Sequence, residues 1–347
     1  MRAVKPPVHV VWRTRGLSLR IPRRTLIAVA GLLLTAVVVG VFSLATGDYI
    51  LSIGQVAGAL FGHATGIEST IVLEWRLPRV LTALLFGAAL GLSGAIFQSL
   101  TRNPLGSPDI IGFDTGAYTG ALIVMLVLNL PGGVTTAAGA VIGGLLTAAA
   151  VYVLAYRNGM VGFRLIVVGI GVTAMLTSVN TWLILHADTQ QAVNAGFWGA
   201  GSLDKSGMDQ LSIAIIPLLV LFLAAIQITP ALGLLELGDD AGAQLGVAVE
   251  RTRLLAIIIG VGLSALVTSF SGPIAFVALA APQIARRLAG AAGITFLPSA
   301  LTGAVLLLTA DAIAQHALPD PVPVGLVTVI LGGGYFVWLL VAEGRRR

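Results

Sequence analysis

The chain has 347 residues, 57% of them apolar and only 10% charged, with 43 glycines, no cysteine, a mean hydropathy of +0.98 and a net charge of +5. Soluble domains carry roughly 25% charged residues, so a water-covered enzyme and a disordered chain are excluded, and the lack of cysteine excludes a disulfide scaffold. What remains is a polytopic membrane protein, because apolar runs of about 20 residues, long enough to cross a hydrocarbon core ~30 Å thick, recur along the chain.

Lipid offers backbone N–H and C=O groups no partner, so each apolar run is predicted to be a helix. Ten are read in chain order: 26–46, 77–99, 111–129, 134–155, 165–186, 210–228, 254–271, 274–289, 298–318 and 324–341. The expected fold is therefore all-α, with ten transmembrane helices that divide into two inverted five-helix repeats. The eighth span opens with Gly272-Pro273 and contains Pro282, which predicts a short re-entrant piece followed by a bent helix. Residues 1–25 read as a basic leader retained in the cytoplasm, since no cleavage-site pattern follows the first apolar run. The transmembrane domain then covers 26–347, with outer loops at 47–76 and 187–209 and an inner loop at 229–253. None of these is long enough for an independent domain of roughly 50 residues.

An even number of spans puts both termini on one side, and the basic residues say which. Seven precede the first span, and Arg102, Arg157, Arg164, Arg251, Arg253, Arg286, Arg287 and Arg345 to Arg347 fall on the same side, giving 17 of the 20. Only Arg76, Arg79 and Lys205 lie on the other. The positive-inside rule places both ends in the cytoplasm of a multi-pass inner-membrane protein. It also removes nucleic acid as a partner, because the basic charge is topological.

Energy coupling has no obvious source within the chain. Neither lysine, Lys5 or Lys205, sits in G-x-x-x-x-G-K-[ST], so no phosphate-cradling loop is present. No His-x-x-x-His or Glu-x-x-His pair occurs at helical spacing, so neither metal nor cofactor is expected and the chain is not read as an enzyme. Asp311 alone lies well inside an apolar run, with Asp114 near the inner start of the third span. An ionisable residue at such depth marks either a proton-coupled secondary carrier or a buried hydrogen-bonded group that locks packing. Gly87/Gly91, Gly112/Gly116/Gly120 and Gly139/Gly143 recur every four residues, a spacing that lets helix backbones approach closely in lipid. The inner segment Gly238-Asp239-Asp240-Ala241-Gly242-Ala243-Gln244-Leu245-Gly246-Val247 has acids first and small residues after. That suits a short helix whose N-terminal acids complement its dipole, and whose small side chains admit another protein's surface.

Several segments then carry a resemblance. Arg76-Leu77-Pro78-Arg79 leads into Gly87-Ala88-Ala89-Leu90-Gly91-Leu92-Ser93-Gly94 and Gln98, followed by Asn103-Pro104-Leu105-Gly106-Ser107-Pro108-Asp109-Ile110-Ile111-Gly112. The loop Leu237 to Arg253, the run Gly272-Pro273-Ile274-Ala275-Phe276-Val277 with Ala281-Pro282, and Val324-Gly325-Leu326-Val327-Thr328 complete the set. From the second span to the C-terminus the chain resembles the iron-siderophore and cobalamin ABC importer permeases. Within that family the stretch 101–120 is most similar to the ferric-enterobactin branch.

The resemblance implies a permease subunit that pairs with a second permease subunit, a related chain rather than a second copy. A cytoplasmic ABC ATPase dimer would drive the pair, and an extracytoplasmic siderophore-binding protein would deliver the ferric siderophore. By family position, Asp239, Asp240, Ala243, Leu245 and Gly246 belong to the coupling helix that docks on the ATPase. Arg76, with Arg79 beside it, would meet a carboxylate of the binding protein. Gly162 and Phe163 occupy the region of the inner gate. Three positions depart from the family: Gln315 stands where an arginine usually follows the ninth-span aspartate, Gln283 where many members have histidine, and Gly332-Gly333-Gly334 where Gly-Ala-Pro is usual. The other cargo readings are cobalamin or haem within the same family. A secondary carrier using Asp311 is the reading from another class.

Overall fold

Because lipid forces every backbone group to find its partner within the chain, the architecture is almost wholly helical. The computed structural model describes residues 9–13, 18–64, 66–130, 132–156, 162–291, 293, 295–317 and 319–344. A short antiparallel hairpin, β1 (His9–Arg13) and β2 (Ser18–Pro22), opens the described chain, with His9 opposite Pro22 and Arg13 opposite Ser18. There follow α1 (Arg23–Ala45), α2 (Ile53–Leu60), α3 (Ile67–Thr70), α4 (Leu77–Thr101), α5 (Pro108–Ile111), α6 (Phe113–Leu122), α7 (Gly133–Ala155) and α8 (Gly162–Leu185). The second half holds α9 (Thr189–Gly199), α10 (Met208–Leu235), α11 (Asp239–Gln244), α12 (Val249–Ser271), α13 (Val277–Ala289), α14 (Phe296–His316) and α15 (Val324–Gly344). Two π-helical stretches, Ile71–Arg76 and Ile123–Val127, run directly into α4 and out of α6.

Each of the ten apolar runs overlaps a helix. Among the described residues, seven helical stretches are long and apolar enough to cross a membrane: Arg23–Ala45, Ile67–Thr101, Gly133–Ala155, Gly162–Leu185, Met208–Leu235, Val249–Ser271 and Phe296–His316. Phe113–Val127 and Val324–Trp338 are shorter apolar helices, and α13 has 13 residues.

Two spans differ from the sequence reading. The third is interrupted at Gly112, whose φ of 91° ends α5 before α6 starts. In the eighth, residues 272–276 are not helical: Gly272 and Phe276 have φ of 70° and 68°, and the helix starts only at Val277. Irregular backbone at this depth survives only where protein satisfies it. Here the Phe276 N–H donates to Asp109 Oδ2 at 2.9 Å, and Ser202 N–H donates to the Ser271 carbonyl at 2.7 Å.

Helices α4 and α12 form the centre, with most of their residues buried. The glycine spacing does there what it predicts. Gly87 and Gly91 on α4 lie against the backbone of Gly303 and Ser299 on α14, and Gly116 and Gly120 on α6 against Gly143 and Gly139 on α7. A Cβ at any of these α4 or α6 positions would overlap the facing helix. Peripheral helices instead expose large apolar side chains, among them Leu34, Leu146, Met175, Ile216 and Ile330, as a bilayer requires.

Candidate functional site

Charged groups gather at the two ends of the bundle. At one end, Arg79 sits in the first turn of α4, just after Pro78 fixes the helix start. Its guanidinium donates to Asp311 on α14 through Nε (2.9 Å to Oδ2) and Nη2 (2.8 Å to Oδ1), and through Nη1 to Asp204 Oδ1 at 2.7 Å. The Asp311 side chain is buried and Asp204 exposed. Burial pulls the Asp204 carboxyl upward, but hydrogen bonds from Ser202 and Arg79 outweigh it and hold the group below the usual carboxylate value. Gln315, one turn along α14, donates through Nε2 to Asp311 Oδ2 at 2.8 Å, so the residue that replaces the family arginine turns inward.

Arg76, three residues before Arg79, holds no carboxylate. Its Nη1 donates to the Leu44 carbonyl at 2.8 Å and its Nη2 to the Tyr49 carbonyl at 2.6 Å, tying α4 to the end of α1. Those bonds use two of five guanidinium N–H groups, leaving donors for another partner. Of the two arginines expected to meet a binding protein, Arg79 is thus committed internally and Arg76 retains free capacity.

The opposite end is organised around α11. Gly238, at φ 123°, turns the chain into this short helix, and Gly246, at φ 86°, turns it out again. Asp239 accepts from Arg253 Nη2 at 2.6 Å and from Arg102 Nη2, bridging α12 to the C-terminal end of α4. Arg102 also donates through Nε to the Leu235 carbonyl at 3.1 Å. Burial raises the Asp239 carboxyl, yet Arg253 and Arg102 together lower it below the ordinary value. The remaining surface points away from the protein: Asp240, Ala243, Leu245 and Gly246 are exposed, Leu245 at 59%, while Gly242 is buried against Leu235. Asp239 therefore fixes the helix, and the other four named residues present it. Arg102 and Arg253, which the sequence marks only as topological charges, are the residues that sequence reasoning missed here.

Arg24 joins this end. Its Nε and Nη2 donate to the Leu288 and Arg287 carbonyls at 3.0 and 2.7 Å, capping the C-terminal end of α13. Gly162 opens α8 where a Cβ would come within 2.6 Å of Thr101 Cα, so the start of α8 lies hard against the end of α4. Phe163 beside it is 72% exposed. Residues 157–161, which precede them, lie outside the described residues.

A close-packed bundle with an exposed apolar belt and two charged end faces defines a polytopic integral-membrane protein. The chain belongs to the FecCD transport family, which matches residues 32–342. The ferric enterobactin transport system permease protein FepG of Escherichia coli K12 is 48% identical over 328 residues, spanning 94% of this chain and 99% of the relative. The iron(3+)-hydroxamate import system permease protein FhuG of Bacillus subtilis is 35% identical, over 92% of this chain and 97% of its own length. FepD of Escherichia coli K12, also a ferric enterobactin transport system permease protein, is 34% identical over 92% and 96% of the two chains. Among solved structures, a metal-chelate type ABC transporter in an inward-facing conformation superposes with a TM-score of 0.78 at 28% identity, covering 90% of this chain and 98% of that one.

Proposed function

We propose that this chain is the permease subunit of an ABC importer that moves a ferric siderophore of the catecholate, enterobactin-like class into the cytoplasm. The observation that carries the reading is the 48% identity to FepG along nearly the whole of both chains. ATP hydrolysis belongs to a separate cytoplasmic subunit pair, since the chain has no G-x-x-x-x-G-K-[ST] motif of its own. The exposed face of α11, Asp240 with Ala243, Leu245 and Gly246, is where that ATPase docks. Both termini lie on the same cytoplasmic side.

An extracytoplasmic binding protein delivers the cargo to the other face. Arg76 offers it a charge-assisted contact that orients docking and weakens with salt. A second permease subunit completes the passage, and the existence of FepG and FepD as two distinct relatives favours a related chain over a second copy. Gly162 and Phe163 act at the inner gate. Asp311, gripped by Arg79 and Gln315, serves packing and not proton uptake.

Radio-iron uptake tests the reading in cells with and without the chain, offered ferric catecholate, ferric hydroxamate and labelled cobalamin in parallel. Loss of ferric-catecholate uptake alone is expected. Loss of cobalamin uptake instead overturns the cargo, and no loss of any overturns the iron assignment.

A further inference from the structure

Residues 47–76, between α1 and α4, read as an outer loop, yet they present apolar side chains where a loop in water carries polar ones. Ile50 is 81% exposed, Phe61 78% and Trp75 63%, and Tyr49, Ile53 and Ile67 are exposed with them. The inward side is apolar too, with Leu51, Val56 and Ala59 buried in the main core beside Ile71 and Val72. Apart from Gln55, α2 consists wholly of Ile, Val, Leu, Ala and Gly. Gln55 is used locally: its Oε1 accepts from the Ser52 N–H at 2.8 Å and its Nε2 donates to Glu68 Oε1 at 2.7 Å. A helix that is apolar on every side needs protein or lipid around it, and protein covers only one side of α2.

The chain keeps this surface level with the end of the first span. The Leu51 N–H donates to the carbonyl of Ala45, the last residue of α1, at 2.9 Å, and Arg76 ties the Leu44 and Tyr49 carbonyls together. With eight residues α2 is only about 12 Å long, too short to carry its side chains far from that level. Its exposed side therefore continues the apolar belt of α1, where Val37, Val38 and Phe42 face outward. Tyrosine and tryptophan at the end of a span suit the membrane–water boundary, where the ring enters the apolar region and its polar tip stays wet.

We propose that residues 49–61, with Ile67 and Trp75, form a membrane-interface segment in which α2 lies at the headgroup–acyl boundary of the leaflet at the Arg76 end. The partner of this surface is lipid. Because Gln55 is bonded to Glu68 and the Tyr49 carbonyl to Arg76, the lipid contact also sets the height of Arg76 over the membrane. The contact follows from the segment's own surface and stands or falls separately from the importer reading.

The chain has no cysteine, so single cysteines in it report without background. Ile53→Cys and Phe61→Cys are spin-labelled in the permease complex, with cysteine-free partner subunits, in nanodiscs of phosphatidylcholine and phosphatidylglycerol. Val37→Cys on the outward side of α1 is the lipid reference, and Lys205→Cys, exposed beside the Arg79–Asp204 pair, is the water reference. Collisions of each label with molecular oxygen, which concentrates in the bilayer, are compared with collisions with a water-soluble nickel chelate. The oxygen-to-chelate ratio at Ile53 and Phe61 is expected to be several-fold above that at Lys205, to approach that at Val37, and to stay unchanged when the extracytoplasmic binding protein is added. The proposal is overturned if the ratio at either folded variant equals that at Lys205, or if protein covers the labels so that neither reagent reaches them. It is also overturned if adding the binding protein shields them from oxygen, since that protein would then be the partner. Both side chains are exposed, and should one variant fail to fold, the other decides.

Discussion

Arg79 and Asp311 lie 232 residues apart in the chain, yet the guanidinium of one grips the carboxylate of the other through two N–H···O bonds of 2.9 and 2.8 Å. The pair joins the first turn of α4 to the last third of α14, the two helices whose glycines let them pack backbone to backbone. The bidentate geometry gives it direction as well as charge.

Removing one partner of this pair leaves a buried charge uncompensated. Arg79→Ala is expected to destabilise the protein by about 3–5 kcal/mol, the cost found for breaking buried pairs. Thermal unfolding of the purified protein in detergent checks this. A variant as stable as wild type would mean that the Arg79–Asp311 pair does not hold α4 to α14.

The clamp at Asp239 responds to pH in a defined direction. Its carboxyl is lower in the folded protein than in the unfolded chain, where a value near 3.9 is usual. Such a group stabilises the fold above the unfolded value and loses that contribution as pH falls through the folded one. Asp239→Asn is therefore expected to lower the unfolding temperature at pH 7, with the difference from wild type closing below about pH 4. A difference that does not change with pH would contradict the clamp.

Leu245→Glu changes a side chain that is 59% exposed and belongs to no buried core cluster among the described residues. The fold should be unaffected, whereas association with the ATPase should weaken about tenfold, near 1.4 kcal/mol, and ATP-driven uptake should fall with it. Leu245→Glu is a cleaner choice than a substitution at Gly246, whose φ of 86° would strain any side chain. Normal uptake by a folded Leu245→Glu protein would remove α11 from the coupling role.

Arg76→Glu is expected to lower uptake, with the wild-type advantage shrinking as salt is raised, because a rim ion pair is screened. Arg76→Gln serves as the control that drops the charge without reversing it, and thermal unfolding of both variants separates lost docking from the lost bonds to Leu44 and Tyr49. Uptake by Arg76→Glu equal to wild type at physiological salt would mean that the binding protein docks elsewhere.

How much of this was legible in the sequence depends on how local each feature is. Hydropathy marks helices well in lipid because a spanning segment satisfies its own backbone, so all ten runs overlap helices. Where backbone satisfaction becomes non-local, the reading slips. Residues 274–276 have a span's apolar character, but Pro273 and the contact from Phe276 to Asp109 keep them out of the helix. Asp109 itself reads as an ordinary acid after Ser107-Pro108 at a helix start. Only the bend at Gly112 and the approach of α8 set it beside one cavity with Asp114 and Asn180.

The sequence by itself determined that this is a many-helix membrane protein, which glycine faces pack, and where a short acid-led helix lies between α10 and α12. Composition, spacing and charge asymmetry act along the chain and are visible there. The tertiary structure alone decided which charges are already spoken for. Arg79, Asp311, Asp239, Arg102 and Arg253 are consumed within the fold, while Arg76 and the face of Leu245 remain available. Ion pairs and cavities form between residues brought together by packing, and no periodicity in the sequence encodes which partner a buried charge will meet.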